Sequence, residues 1–365
     1  MTARINAFIK LGRDQGCSDI HFAVGVPPLL RCLGELAPVK FRELTLEELN
    51  GLIDEILTDE QCKTFAAGRD LDFAYQHAEV GRCRVNLFHK VGGMGATFRL
   101  IGDRIPSLDA LEMPPVIARL ADAQQGMVLV TGATGTGKST TLASVIDLLN
   151  STRRCNVITL EDPIEYVHRS NKSLVVQREV GTHVPDFTDG LRAALREDPD
   201  VILVGELRNP ETIGLAMTAA ETGHLVLGTL HTTSATKTLD RIVDAMPTQQ
   251  KAQARHFLGQ HLRGVVSQKL IRSADGRRRK AIVEVLVNTP AIANLIMNGK
   301  VFQIPSALQT GKQAGMQLMD QALLEAVQRR EIDPDDAYLH AADKKQFQRF
   351  VTDPELLPPV NLTVG

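Results

Sequence analysis

The chain has 365 residues, a formal net charge of −2 and 43% hydrophobic residues. That length suggests two domains, or three, with enough apolar content for real cores. Near-neutral charge excludes a global pull toward nucleic acid or anionic membrane, and the lack of tryptophan with only 4% aromatics argues against a base-stacking platform.

In the first hundred residues, Ile5, Phe8, Ile9 and Leu11 space as a short amphipathic helix that stops near Gly16. Residues 18–24 alternate as a strand. Pro27 and Pro28 break it, and Leu29–Cys32 is its hairpin partner. Thr45 with Glu48, and Thr58 with Gln61, are capping boxes that open two short helices. Alternation returns over Leu71/Phe73/Tyr75, Cys83/Val85/Leu87 and Ala96/Phe98/Leu100, with a turn at Gly92-Gly93. The pattern predicts an α+β domain over 1–101. A Gly- and Pro-bearing linker follows over 102–115, and a larger domain over 116–365. The small domain carries Arg82, Arg84, Arg99 and Arg104. Two readings stand for them: a solvated sheet face, or cations for a phosphate.

The second domain opens on an apolar strand over 127–130. Gly132-Ala133-Thr134-Gly135-Thr136-Gly137-Lys138-Ser139 follows, a P-loop pattern. Then comes a helix with Leu142, Val145, Ile146 and Leu149 on one face. Glycines let backbone N–H groups turn toward phosphate oxygens, and the helix N-terminus adds its dipole. Lys138 can reach the β- and γ-phosphates, and Ser139 can offer its hydroxyl to Mg²⁺. A second strand over 156–160 ends in Glu161-Asp162-Pro163-Ile164-Glu165. A helix spans 187–197. A third strand, entered at Asp200, ends in Gly205-Glu206, the Walker B arrangement; Arg208 stands close enough to pair with Glu206. A helix over 211–222 stops at Gly223, and a fourth strand over 225–230 delivers His231 to the same rim. His224 falls at the opposite strand end. Repeated βα units predict a mostly parallel sheet.

Beyond it, Pro247 opens a long helix to about Leu270. Asp275-Gly276 marks a hairpin, the basic run Arg277–Lys280 reads as a solvated turn, and a strand follows over 281–287. Helices are expected over 290–297, 316–327 and 334–340, with a loose tail from Pro354 to Gly365. The five cysteines, Cys17, Cys32, Cys62, Cys83 and Cys155, show no C-x-x-C spacing. No zinc module is indicated, and reduced cytosolic thiols are the expectation. The start of the sequence does not look like a signal peptide, and no run approaches the roughly eighteen apolar residues of a membrane span. A soluble protein is expected, with any membrane role peripheral.

The P-loop, the acidic box 158–165, the run 196–206 and the box 220–232 resemble the four signature boxes of the secretion ATPase superfamily, in order and spacing. Within it, the chain resembles the type IV pilus retraction ATPases of the PilT/PilU family, from Gly25-Val26-Pro27-Pro28 to Gly315-Met316-Gln317. The resemblance implies a PAS-like N-terminal domain and a RecA-like P-loop ATPase domain in a homohexamer that powers pilus retraction and twitching motility. It implies ATP and Mg²⁺ bound through Thr134, Gly135, Thr136, Gly137, Lys138, Ser139 and Thr140. Glu165 is the implied general base, Glu206 the Walker B acid that holds Mg²⁺ through water with Ser139, and His231 the γ-phosphate sensor. Arg82, Arg84, Arg99 and Arg104 are the implied phosphate-reaching cations.

The implied partners are further copies of the chain, an inner-membrane pilus platform protein and a paralogous retraction ATPase. No nucleic acid and no membrane insertion are expected; the implied location is cytoplasmic, at the inner membrane face. The chain lacks the four-cysteine zinc motif of extension ATPases. The family's Ala-Ile-Arg-Asn-Leu-Ile-Arg-Glu motif reads Ala291-Ile292-Ala293-Asn294-Leu295-Ile296-Met297-Asn298 here, without its arginines. Two alternatives stand beside an independent retraction motor: an accessory subunit that needs a partner motor, and a nucleic-acid motor on the same core.

Overall fold

The computed structural model describes residues 3–32, 34–102 and 104–357. Contacts divide the chain into two compact units. One comprises Met1–Ile105 with the short segment Pro163–Val167. The other comprises Pro106–Asp162 with His168–Gly365.

The first unit holds strands β1 (Asp19–Ala23), β2 (Leu29–Cys32), β3 (Glu35–Pro38), β4 (Leu71–His77), β5 (Gly81–Lys90) and β6 (Gly93–Leu100). They form one antiparallel sheet in the order β3-β2-β1-β6-β5-β4. Helix α1 (Asn6–Asp14), with Ile5 at its N-cap, and helix α2 (Leu46–Asp54) bring Ile5, Ile9, Leu49 and Ile53 to a core with Ile20, Phe22, Val85, Leu87 and Phe98. Both expected capping boxes form. Thr45 caps α2 and Thr58 caps α3 (Asp59–Ala66), each exchanging bonds with the residue three places on.

One expectation is corrected here. Cys17 and Cys32 form a disulfide, with Cα atoms 4.3 Å apart, whereas reduced thiols were expected throughout. Spacing along the chain hides this pair. The β1–β2 hairpin sets Asp19 opposite Arg31, which brings the flanking cysteines together. Cys62, Cys83 and Cys155 are not in disulfides.

In the second unit, seven strands form one sheet: β7 (Gly126–Thr131), β8 (Asn156–Glu161), β9 (Leu174–Glu179), β10 (Val201–Val204), β11 (Leu225–Leu230), β12 (Leu262–Arg272) and β13 (Arg279–Val287). The order is β13-β12-β7-β11-β10-β8-β9, and all neighbours are parallel except the β12–β13 hairpin. The central strands are buried on both faces, so they read as unbroken apolar runs. Met127, Leu129, Ile202 and Val204 point into one core. There they meet α6 (Phe187–Ala194), α7 (Pro210–Glu221), α8 (Ala235–Ala245), α9 (Lys251–His261) and α10 (Pro290–Met297). Val128, Val130, Val201 and Leu203 point into the other, against α4 (Val116–Ala121) and α5 (Lys138–Thr152), which contributes the predicted stripe Leu142, Val145, Ile146 and Leu149. A satellite core joins Ile271 and Ile282 to α12 (Met319–Gln328) and α13 (Pro334–His340). Helix α11 (Ile304–Thr310) inserts Ile304 and Leu308 into the first core.

The long helix expected from Pro247 to Leu270 does not form. It ends at His261, and the chain turns into β12. Leu258, Leu262, Val265 and Val266 fit helical spacing as well as strand burial, and pairing with β7 and β13 decides for strand. Edge strand β9, which carries Gln177, and the short strand β3 had no expectation attached. The basic hairpin run is not wholly solvated: Arg278 and Lys280 both engage Glu112, and Lys280 also reaches Glu331 at 2.8 Å. Residues 358–365 of the expected tail lie outside the described residues.

Candidate nucleotide site

Parallel strands leave their carboxyl ends on one edge, and that edge is where this fold type binds ligands. Register puts Leu230 of β11 opposite Thr131 of β7, and Val204 of β10 beside both Gly228 and Leu160. The residues that follow these four strands therefore share a rim: the P-loop after β7, His231 after β11, Glu206 after β10 and Glu161 closing β8.

The P-loop lies against β12. Gly132 has φ +146°, and a Cβ there would meet the Gln268 carbonyl oxygen at 2.5 Å. Only glycine fits that approach. Gly135 and Gly137 have φ +79° and +84°, and Gly137 is the N-cap of α5. Thr134 is exposed on the loop, and the Thr136 hydroxyl donates to the Ala133 carbonyl at 2.8 Å. Lys138 is buried; its ammonium donates to the carbonyls of Gly132 and Ala133 at 2.8 and 3.0 Å. Ser139 is exposed in the first turn of α5, with Thr140 half-buried behind it.

A residue without a sequence expectation braces this loop. Gln268, buried in β12, donates from Nε2 to the Thr136 carbonyl at 2.6 Å and accepts from the Thr141 hydroxyl at 2.8 Å. Beside it, the Thr131 and Ser267 hydroxyls bond at 2.9 Å in the buried seam between β7 and β12. An amide among apolar residues of a two-sided buried strand was the signal. The expected helix concealed it.

Glu206 is set by the backbone before it. The Gly205 N–H donates to the Leu160 carbonyl at 2.7 Å, and the Gly205 carbonyl accepts from the Thr229 hydroxyl. A Cβ at Gly205 would lie 2.9 Å from the Leu160 oxygen, so both neighbouring strands clamp the turn. The carboxylate of Glu206 meets Arg208 at 2.8 Å and His231 Nε2 at 3.2 Å. Burial alone would push its carboxyl up. Arg208, with help from His231, outweighs that and holds it below the ordinary glutamate range. A charged carboxylate is thus in place on the rim, and Arg208 is raised in return. Glu161 turns inward, accepting from Thr159 at 2.7 Å and from Gln177 at 3.1 Å. His224 sits at the opposite end of β11, its Nδ1 2.9 Å from the Ala219 carbonyl.

Oxygen donors from Ser139 and an ionised Glu206 suit a hard divalent cation. No group of three or more histidine, cysteine or acidic side chains stands ready to enclose a metal by itself among the described residues.

The remaining candidates lie in the first unit. Glu165 is half-buried on the segment Pro163–Val167, which groups with that unit and not with the P-loop. Arg82 donates to the Ile164 carbonyl on the same segment at 3.0 Å. Arg84 grips Asp72 with Nε and Nη2, at 3.0 and 2.6 Å. Arg99, directly across from Arg84, pairs with Asp19 at 3.0 Å. Arg104 is exposed. The structure therefore brings together the P-loop, Glu206 and His231, and separately Arg82 with the Glu165 segment.

Residues 105–333 match the family model described as type II/IV secretion system protein. The chain is 48% identical over 319 residues to the type IV pilus retraction ATPase PilT of Pseudomonas aeruginosa, covering 87% of this chain and 92% of that protein. It is 38% identical to the type IV pilus ATPase PilU of the same organism, covering 94% and 90%. A crystal structure of the pilus retraction motor PilT with bound ADP superimposes with a TM-score of 0.87 at 41% identity, covering 94% of this chain and 99% of that one. The chain belongs to the type II/IV secretion system protein family, and within it to the PilT family of ATPases.

Proposed function

We propose that the chain is a Mg²⁺-dependent ATPase that works as a homohexameric ring and powers type IV pilus retraction. The observation that carries the reading is the single rim on which the P-loop, ionised Glu206 and His231 meet, in a chain 48% identical to PilT. Loop N–H groups and the α5 N-terminus receive the phosphates. Lys138 exchanges its loop carbonyls for phosphate oxygens. Ser139, and Glu206 through water, would hold Mg²⁺, which when bound would supply neutralisation of phosphate charge. Glu165 orients the attacking water and takes its proton. His231 reports the state of the γ-phosphate to Glu206 through their contact. Arg82, Arg84, Arg99 and Arg104 add positive charge to the transition state, some of them toward a neighbouring copy.

The 1–101 region is the PAS-like arm that moves against the 116–365 ATPase domain as the nucleotide turns over, with 102–115 between them. Force passes to a platform protein in the inner membrane, where the chain is peripheral; no helix of the described residues is long and apolar enough to cross a membrane. The test is restoration of twitching motility in cells that lack their own retraction ATPase. Wild type is expected to restore it, and Glu165→Ala to fail at equal protein level. Failure of wild type with robust ATP hydrolysis in vitro would overturn the retraction role.

One observation favours a second reading. Helix α10 presents Ala293 and Met297 where the family motif has arginines, and Met297 is exposed. An accessory subunit would hydrolyse ATP weakly alone and restore retraction only when a paralogous motor is co-expressed.

A further inference from the structure

Glu284 is a carboxylate deep in the second unit, 7% exposed on β13, and nothing in the proposed chemistry uses it. One oxygen accepts from the N–H of Ala235, the first residue of α8, at 2.8 Å. The other accepts from the N–H of Met319, the first residue of α12, at 3.4 Å. Each is an orphan donor of a helix start, and a carboxylate there also meets the positive end of the dipole. A single buried side chain thus closes two helices that are 84 residues apart at their first positions, Ala235 and Met319.

Both helices lead somewhere. On the α8 side the chain runs straight back to His231. The Thr232 and Thr238 hydroxyls bond at 2.7 Å, and Thr238 also donates to the Ser234 carbonyl at 2.8 Å, so the His231 loop is bound to the first turns of α8. On the α12 side, Gln317 pairs with Val285 on β13 through both backbone bonds, at 3.0 and 3.1 Å, and sends Nε2 to the Val283 carbonyl at 2.7 Å. Asp320 accepts from the N–H groups of Ala342 and Asp343, which ties α12 to the end of α13. Lys269, on the strand beside Glu284, donates to the His340 carbonyl at 2.6 Å. Hydrogen bonds joined by short backbone links therefore run from Thr232, next to His231, through Glu284 to the C-terminal helices.

We infer that Glu284 is a positioning residue: it fixes His231 against Glu206 by holding the start of α8, and makes the rim and the C-terminal helical layer move as one body. This rests on the reading of His231 as a participant in turnover. A purely structural cap would contribute stability alone; a positioning residue acts through His231, and the two are separable.

The experiment is a double-mutant cycle on the full chain in its assembled state, with steady-state ATP hydrolysis, equilibrium ADP binding and thermal unfolding measured for each variant. Glu284→Ala is expected to lower kcat about tenfold while KM and ADP affinity stay within about twofold, because binding groups are intact and only orientation is lost. Adding Glu284→Ala to His231→Ala should cost nothing further. Glu284→Gln serves if the alanine variant does not assemble: it keeps an acceptor for one of the two N–H groups but turns a donor toward the other, and should lie between wild type and Glu284→Ala. Losses that multiply in the double variant, or wild-type kcat in a folded Glu284 variant, would overturn the inference. If His231→Ala alone leaves turnover untouched, it is the reading of His231 that fails.

Discussion

The two sheets of this chain both gather charged residues, and they do so in opposite ways. On the parallel sheet, the central strands β7, β10 and β11 carry no charged residue, and Lys138, Glu206 and His231 follow their ends. On the antiparallel sheet, Arg84 and Arg99 lie within strands, opposite one another, and each is answered by a carboxylate of its own sheet, Asp72 and Asp19. The rim leaves Thr134, Gly135 and Ser139 exposed. The arginine row is balanced as it stands, and its service to a phosphate requires exchange of partners. On the proposed function, a site is preorganised in one sheet and recruited in the other.

The sharpest break of that contrast is at Lys138. Lys138→Ala removes the rim's buried cation, and kcat/KM for ATP is expected to fall by more than about a hundredfold. A smaller loss would mean that the rim does not depend on it. Gln268→Ala tests preorganisation itself. It unpins the Thr136 carbonyl and leaves the Thr141 hydroxyl without its buried acceptor. The expected outcome is a KM for ATP raised about tenfold, with stability down by about 1–3 kcal/mol in denaturant unfolding.

Arg99→Ala probes recruitment. Its side chain is 60% exposed and Asp19 keeps its bond to Ser18, so stability should change by less than about 1 kcal/mol. Turnover of the assembled protein should nonetheless fall about tenfold. Unchanged turnover would return the arginines to the status of a solvated face.

The smallest effect is electrostatic. The Glu206 carboxyl is held below its ordinary range in the folded chain, so its contribution to stability is present above the unfolded value. It is lost as pH falls through the folded one. Glu206→Gln should therefore differ from wild type in stability at neutral pH and converge with it in acid, measured by denaturant unfolding across that window.

Much of the rim was legible because its signals are local. Gly132–Ser139 is contiguous, and Val201–Val204 followed by Glu206 reads as a strand with an acid at its end. The helices over 290–297 and 334–340 were bounded by proline at the start. What escaped was set by pairing across the chain. Gln268 lies in a stretch whose apolar spacing suits a helix, and only β7 and β13 on either side make it a strand. The Cys17–Cys32 bond needs the hairpin register, and Glu284 gains its meaning from amides 49 and 35 residues away. Arginine partners such as Asp72 and Asp19 are likewise fixed by strand order, which periodicity does not supply.

The central claim is that the rim hydrolyses ATP through a charged Glu206 in contact with His231. The direct measurement is steady-state ATP hydrolysis by wild type and Glu206→Ala, with ADP binding and oligomer size recorded on the same preparations. The account predicts Mg²⁺-dependent turnover by a hexamer-sized wild type, and its loss by at least about a hundredfold in the variant while ADP still binds and the oligomer persists. Turnover in Glu206→Ala equal to wild type would contradict it.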